Sequence, residues 1–197
     1  MEPLNQTLFL LINASAQPPA MLVALARFLA EDLVWALPIL FILIWLRGGV
    51  TRRRVVFHAG LAARLALALG AVIGMVWPQP RPFVLGLGHR LIDHVADASF
   101  PSDHLTLIWA VAATLTLHRT WRAPGLALLG IGIAVAWARI YVGVHFPLDI
   151  AGALGVAWLG AVVIRKARIA VEPLFAASER LRERALRRAI AAGWVRG

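Results

Sequence analysis

Apolar residues in this chain come in long runs separated by short polar clusters, a spacing much coarser than the period of a soluble helix or strand. An α-helix needs about 20 predominantly apolar residues to cross a bilayer core. Stretches at 20–46, 55–77, 103–118, 125–142 and 148–164 approach that length and predict five transmembrane helices. The 103–118 stretch is short, as expected if its first turn belongs to a polar site and not to lipid. Residues 3–16, closed by Pro18-Pro19, are too few to span and predict a short N-terminal interfacial helix. The first basic residue is Arg27, and Glu2 stands where a positive leader region belongs, so no cleavable signal is expected. Gly70 and Gly74 form one GxxxG, expected to serve close helix packing. Further on, Leu174, Leu181, Ala185, Ile190 and Trp194 approximate a helical stripe, with five Arg between 180 and 188. The pattern divides the chain into a membrane-embedded domain, 1–170, and a basic cytoplasmic helix, 171–197, which either lies on anionic lipid or is solvated.

Composition sharpens this into an all-α integral membrane protein. Of the 197 residues 60% are hydrophobic and 15% charged, which excludes disorder. No cysteine is present, so disulfides, thiolate metal sites and cysteine nucleophiles are excluded together. The net charge of +10 would suit nucleic acid, but its placement does not. Fifteen of the twenty Lys and Arg fall between the first and second spans, between the third and fourth, or after the fifth. By the positive-inside rule that face is cytoplasmic, and the loops at 78–101 and 139–148 face outward. The partners expected are the bilayer and a lipid, with no nucleic acid.

Ionisable groups are costly in so apolar a chain, so their clustering is informative. Three clusters fall on the outward face. They are Gln79-Pro80-Arg81-Pro82-Phe83, Ser99-Phe100-Pro101-Ser102-Asp103-His104, and the segment from Arg139 to Asp149 that contains His145. Pro101-Ser102 before an apolar run reads as a helix start with Ser102 as N-cap, where unpaired backbone N–H groups and the helix dipole favour an anion. Arg81 and Arg139 add planar guanidiniums suited to phosphate. Asp149 lies four residues after His145, so it can accept one ring N–H, fix the tautomer and leave the other nitrogen free to attack. His104 is placed to supply a proton to a leaving oxygen. An anion cradle, an oriented nucleophile and a separate acid are the parts that phosphoryl transfer requires.

Arg81-Pro82, Pro101-Ser102-Asp103-His104 and Arg139-x5-His145-x3-Asp149 together resemble the three-part signature of the type-2 phosphatidic acid phosphatase superfamily. RPFVLGLGH and DASFPSDH, with the opening LNQTLFLLINA, are similar to its bacterial undecaprenyl pyrophosphate phosphatases. The resemblance covers about residues 1–165. It implies hydrolysis of undecaprenyl diphosphate to the monophosphate and phosphate, recycling a cell-wall lipid carrier at the bacterial inner membrane, with the site facing the periplasm or exterior. It implies His145 as the nucleophile that becomes a phosphohistidine, Asp149 as its orienting group and His104 as acid and then base. Arg81, Arg139, Ser102 and the backbone N–H of Asp103 would bind the phosphoryl oxygens, with no cofactor and no metal. The chain departs from the family pattern at three positions: Gly74 stands where a Lys is common, Asp103 replaces a Gly, and Ala138 replaces a Ser. Either Gln79 or Arg90 replaces that Lys, or a diphosphate substrate needs one cation fewer there.

Two other functions fit the same residues: a phosphatase of another membrane lipid (phosphatidic acid or phosphatidylglycerophosphate), and a transporter with a His- and Asp-lined pathway. His89, Asp93, His94 and Asp97 read as a hydrated loop, with a divalent metal as the alternative.

Overall fold

A computed structural model describes residues 3–196; Glu2, used above against a leader, lies outside them, as does Gly197 at the end of the tail. The elements are helices and short helical turns: α1 (Pro3–Ile12), α2 (Ala20–Arg27), α3 (Ala36–Arg47), α4 (Val50–Val76), α5 (Asp103–Leu117), α6 (Arg122–Tyr141), α7 (Pro147–Lys166) and α8 (Arg168–Ala191). Among the described residues four segments are long and apolar enough to cross a membrane: Ala20–Arg47, Val50–Val76, Arg119–Tyr141 and Pro147–Lys166. The remaining expected span, α5, has 15 residues. At 1.5 Å per residue it reaches about 22 Å, short of a bilayer core of about 30 Å. It packs against α4, α6 and α7 at once, so protein replaces lipid around it. Its buried face (Leu105, Ile108, Trp109, Val111) forms the main core with Ala59, Ala63 and Ala66 of α4 and with Ala153 and Ala157 of α7.

The first span is not one continuous helix. Phe28–Asp32 opens into a π-helical turn, followed by a 3-10 turn at Leu33–Trp35. Such turns divert backbone carbonyls from the regular ladder and recur at functional sites. Here the carbonyl of Ala30 accepts a hydrogen bond from the Arg139 guanidinium at 3.1 Å. Gly70 and Gly74 do not form the helix–helix contact expected of them. A Cβ on Gly70 would meet Pro101 at 3.2 Å, and one on Gly74 would meet Ala98 at 3.4 Å. The small residues of α4 therefore admit the loop that starts α5.

The N-terminal segment fixes the long loop between α4 and α5. The Asn13 side chain donates to the carbonyls of His89 and Tyr141, each at 3.0 Å, and accepts from the His89 N–H at 2.7 Å. Leu91 N–H donates to the Val142 carbonyl at 3.0 Å. Gly143 sits beneath this junction with φ 86°, where a Cβ would lie 2.3 Å from the His89 carbonyl oxygen. Only glycine meets both demands. The buried Asn5 of α1 accepts from Leu148 N–H at 3.0 Å, capping the start of α7.

The C-terminal helix is tied to the bundle near its start and along one face. It docks on the basic end of α4 through Arg53, whose guanidinium makes a forked bond to Glu179 with its shortest contact at 2.6 Å. Phe175 packs edge-on against Phe57, ring centroids 5.5 Å apart. Arg182, also buried, donates to the Trp45 carbonyl at 3.0 Å. Glu179→Ala leaves the Arg53 guanidinium buried without its carboxylate. It is expected to cost about 3 kcal/mol or more of stability, read as a lower unfolding midpoint in detergent.

Candidate active site

The site forms where the C-terminal ends of α4 and α6 meet the N-terminal ends of α5 and α7. His145 lies in the five-residue link between α6 and α7 and is 1% exposed. Its Nδ1 is 3.2 Å from Asp149 Oδ2. Its Nε2 faces Arg81 at 3.3 Å and Arg139 at 3.2 Å. Guanidinium can only donate, so Nε2 carries the lone pair and Nδ1 carries the proton given to Asp149. Burial first, then the charges of Arg139 and Arg81, hold His145 well below the ordinary imidazole value of 6.5. The ring is thus a neutral base with its free nitrogen between two cations.

Asp149 Oδ2 collects three donors. Besides His145 it accepts from Phe146 N–H at 2.7 Å and from the Ser99 hydroxyl. Ser99 is itself fully buried, its N–H bonded to the Gln79 carbonyl at 2.8 Å. Ser99 belongs to the second cluster, but its orienting contact joins residues fifty positions apart, which no local pattern displays.

The two guanidiniums are held differently. Arg81 is committed on every nitrogen: Nε to Asp97 at 2.8 Å, one terminal nitrogen to the Val144 carbonyl at 3.0 Å and the other to the Ala98 carbonyl at 3.3 Å. Arg139, 2% exposed, bonds Ala30, His94 (3.0 Å to Nε2) and His145, but its Nε makes no hydrogen bond to the described residues. The same holds for the buried hydroxyl of Ser102. Ser102 stands at the N-cap of α5, and its side chain makes no capping bond. A buried hydroxyl and a buried guanidinium N–H left unpaired beside a helix N-terminus are donors suited to an anion's oxygens.

His104 is partly buried one residue into α5, within electrostatic range of Arg139, His94 and Arg81, and of His145. Asp103 is exposed at the mouth. The structure therefore brings Arg81, Ser102, Asp103, His104, Arg139, His145 and Asp149 to one end of the bundle.

His94 and Asp97 are not the free hydrated loop expected of them. The His94 ring stands edge-on to His145, centroids 6.4 Å apart, with Nδ1 on the Val95 carbonyl and Nε2 on Arg139. Burial, then the charges of Arg81 and Arg139, push His94 down from its ordinary value, so it too is neutral at pH 7. Neither residue suggested to replace the missing Lys has a side-chain hydrogen bond to Arg81, Ser102, Arg139 or His145. Arg90 lies over the Phe83 ring at 4.9 Å, and Gln79 serves Ser99 through its backbone. Among the described residues no three His, Asp or Glu side chains gather as metal ligands.

Comparison with known proteins follows the same geometry. YbjG of Escherichia coli (strain K12) is 39% identical over 161 residues, covering 81% of this chain and 80% of its own. The undecaprenyl-diphosphatase BcrC of Bacillus subtilis (strain 168) is 34% identical over 154 residues, covering 78% and 79%. The crystal structure of Aquifex aeolicus LpxE superposes with a TM-score of 0.70 at 28% identity, covering 84% of this chain and 96% of that one. The PAP2 superfamily profile matches residues 55–171, which contain every one of the site residues named above. The family that the three motifs resemble is thereby confirmed, and the chain belongs to the PAP2 superfamily.

Proposed function

We propose that the protein is a membrane-embedded phosphatase that hydrolyses undecaprenyl diphosphate to undecaprenyl phosphate and inorganic phosphate, through a phosphohistidine at His145. One observation carries the reading: an imidazole nitrogen stripped of its proton by geometry and set between two guanidiniums, with the other nitrogen fixed by a carboxylate. The terminal phosphoryl group enters from the side of Asp103 and displaces Asp97 from Arg81 and His94 from Arg139. Arg81, Arg139, the Ser102 hydroxyl and the N–H of Asp103 take its oxygens. His145 Nε2 forms the N–P bond as the P–O bond to the lipid phosphate breaks. His104 donates a proton to the leaving oxygen, then removes one from water. That water attacks phosphorus, the N–P bond breaks, and inorganic phosphate leaves with the neutral imidazole restored.

The substrate is supported by the name of the Bacillus subtilis relative and by the resemblance of RPFVLGLGH and DASFPSDH. Phosphate release by the detergent-solubilised protein, measured across lipid mono- and diphosphates, tests it. The polyprenyl diphosphate is expected to have the highest kcat/KM, whereas preference for phosphatidic acid would select the other lipid-phosphatase reading. In the same assay His104→Ala is expected to cost less on the diphosphate than on a monophosphate, because a lipid phosphate departs with less need of protonation than an alkoxide. Equal losses would remove His104 as the acid.

The placement of basic residues supports a site on the outer side of a bacterial cytoplasmic membrane. The chain lacks cysteine, so Asp93→Cys at the fully exposed tip of the site loop gives a single reporter. In intact cells permeable only through the outer membrane, a membrane-impermeant maleimide is expected to label it. Labelling only after the inner membrane is opened would reverse the orientation.

A further inference from the structure

The far end of the same bundle carries a second concentration of charge that the proposed reaction does not use. A cavity of about 610 Å³ lies between the N-terminal end of α4, the C-terminal ends of α5 and α7, and the start of α8. Arg54, Arg119, Arg165 and Arg168 are exposed along its rim, while Val55 and Ala161 are buried in its floor. Glu172 is the one carboxylate in the lining, and Arg54 holds it at 2.9 Å. Arg165 donates to the Leu117 carbonyl at 3.0 Å, a contact that ends α5. Among the described residues, Arg119 and Arg168 have no carboxylate within ion-pairing distance. His58 lines the same cavity, and its Nε2 is buried with no partner among the described residues.

A positive-inside surface accounts for scattered arginines, but not for their convergence on one recess that also holds a buried, unpaired ring nitrogen. Like charges gathered in a concavity repel one another unless an anion sits between them. Planar guanidiniums match phosphate oxygens in pairs. The wall beyond the cations is apolar, with Ile164 and Ile169. That suits the first carbons of a lipid whose phosphate is held at the rim.

We propose that this cavity is a second phosphate-binding site, at the opposite end of the bundle from His145, which takes a phosphomonoester or phosphate group. The group can arrive as a lipid headgroup or as free phosphate, and the recognition by Arg119 and Arg168 is the same. Binding here needs none of the proposed catalytic steps.

The test uses the whole chain carrying His145→Ala in detergent, titrated separately with farnesyl phosphate, inorganic phosphate and farnesol. Amide hydrogen exchange is read over residues 114–122 and 164–172, and separately over 139–149. Farnesyl phosphate is expected to slow exchange in the first two segments, and farnesol to leave it unchanged. Arg119→Gln with Arg168→Gln is expected to raise the half-saturating concentration there about tenfold or more, with the response over 139–149 unaltered. Protection by farnesyl phosphate alone assigns a lipid headgroup; protection by inorganic phosphate as well assigns a site for phosphate itself. No protection in these segments, equal protection by farnesol, or an unshifted midpoint in the double variant overturns the proposal. Arg168→Gln alone, at the exposed first residue of α8, repeats the comparison if the double variant fails to fold.

Discussion

His145→Gln is expected to lower phosphate release from a polyprenyl diphosphate by at least about 10⁴-fold and to eliminate the phosphoprotein trapped by alkaline quenching. Glutamine fills similar space and can still donate to Asp149, so the unfolding midpoint should move little. What it lacks is a basic nitrogen facing Arg81 and Arg139. The same geometry fixes the pH dependence. Burial and the two guanidiniums disfavour imidazolium at His145, so its folded value lies well below 6.5. The reactive form is neutral; it is fully present above that depressed value and is lost only as pH falls through it. The acid limb of kcat/KM due to His145 should therefore lie below pH 6.5. Removing the positive charge of Arg81 (Arg81→Gln) should move that limb upward. A loss of only tenfold in His145→Gln, with the trapped phosphoprotein intact, would mean that another group attacks phosphorus.

The parts of this site that were legible in the sequence are those written in short-range spacing. His145 and Asp149 are one helical turn apart, and Pro147 between them starts α7, so their contact follows from local geometry. Arg81 and Arg139 were legible because a guanidinium in a greasy chain needs a reason. The parts that were not legible depend on tertiary approach. Ser99 is an unremarkable serine until the α4–α5 loop brings it to Asp149. His94 and Asp97 read as a wet loop because nothing nearby in sequence neutralises them; their partners Arg139 and Arg81 are 45 and 16 residues away. The π-helical turn was invisible for the same reason. The Glu31-Asp32 pair interrupts the apolar run but does not name a partner, and Arg139, more than a hundred residues later, takes the Ala30 carbonyl. Glu179 looked like one charge among many on a solvated helix, whereas its meaning comes from the buried Arg53.

Arg139→Lys is expected to lower kcat/KM by about 10²–10³-fold, mostly in kcat. Lysine keeps the charge, so the effect isolates geometry. Arg139 spans from the Ala30 carbonyl to His94 and His145, and its Nε remains unpaired among the described residues. On the proposed mechanism one group then touches the nucleophile and has a donor to spare for the phosphoryl oxygens, where charge develops as the P–O bond breaks. An ammonium on a flexible stem can reach one of these positions but not all of them. Arg81 provides the contrast, since its nitrogens are already bound to Asp97, Val144 and Ala98. Much of its role is to hold the α4–α5 loop against the α6–α7 link, and its Nε can reach a substrate only when Asp97 is displaced. Arg81→Lys should consequently weaken substrate binding more than it slows the chemical step, with the larger change in KM. If the two substitutions gave the same split between kcat and KM, the distinction between a guanidinium that acts on the transition state and one that admits the substrate would be lost. The unpaired Nε of Arg139 would then be a feature of packing alone.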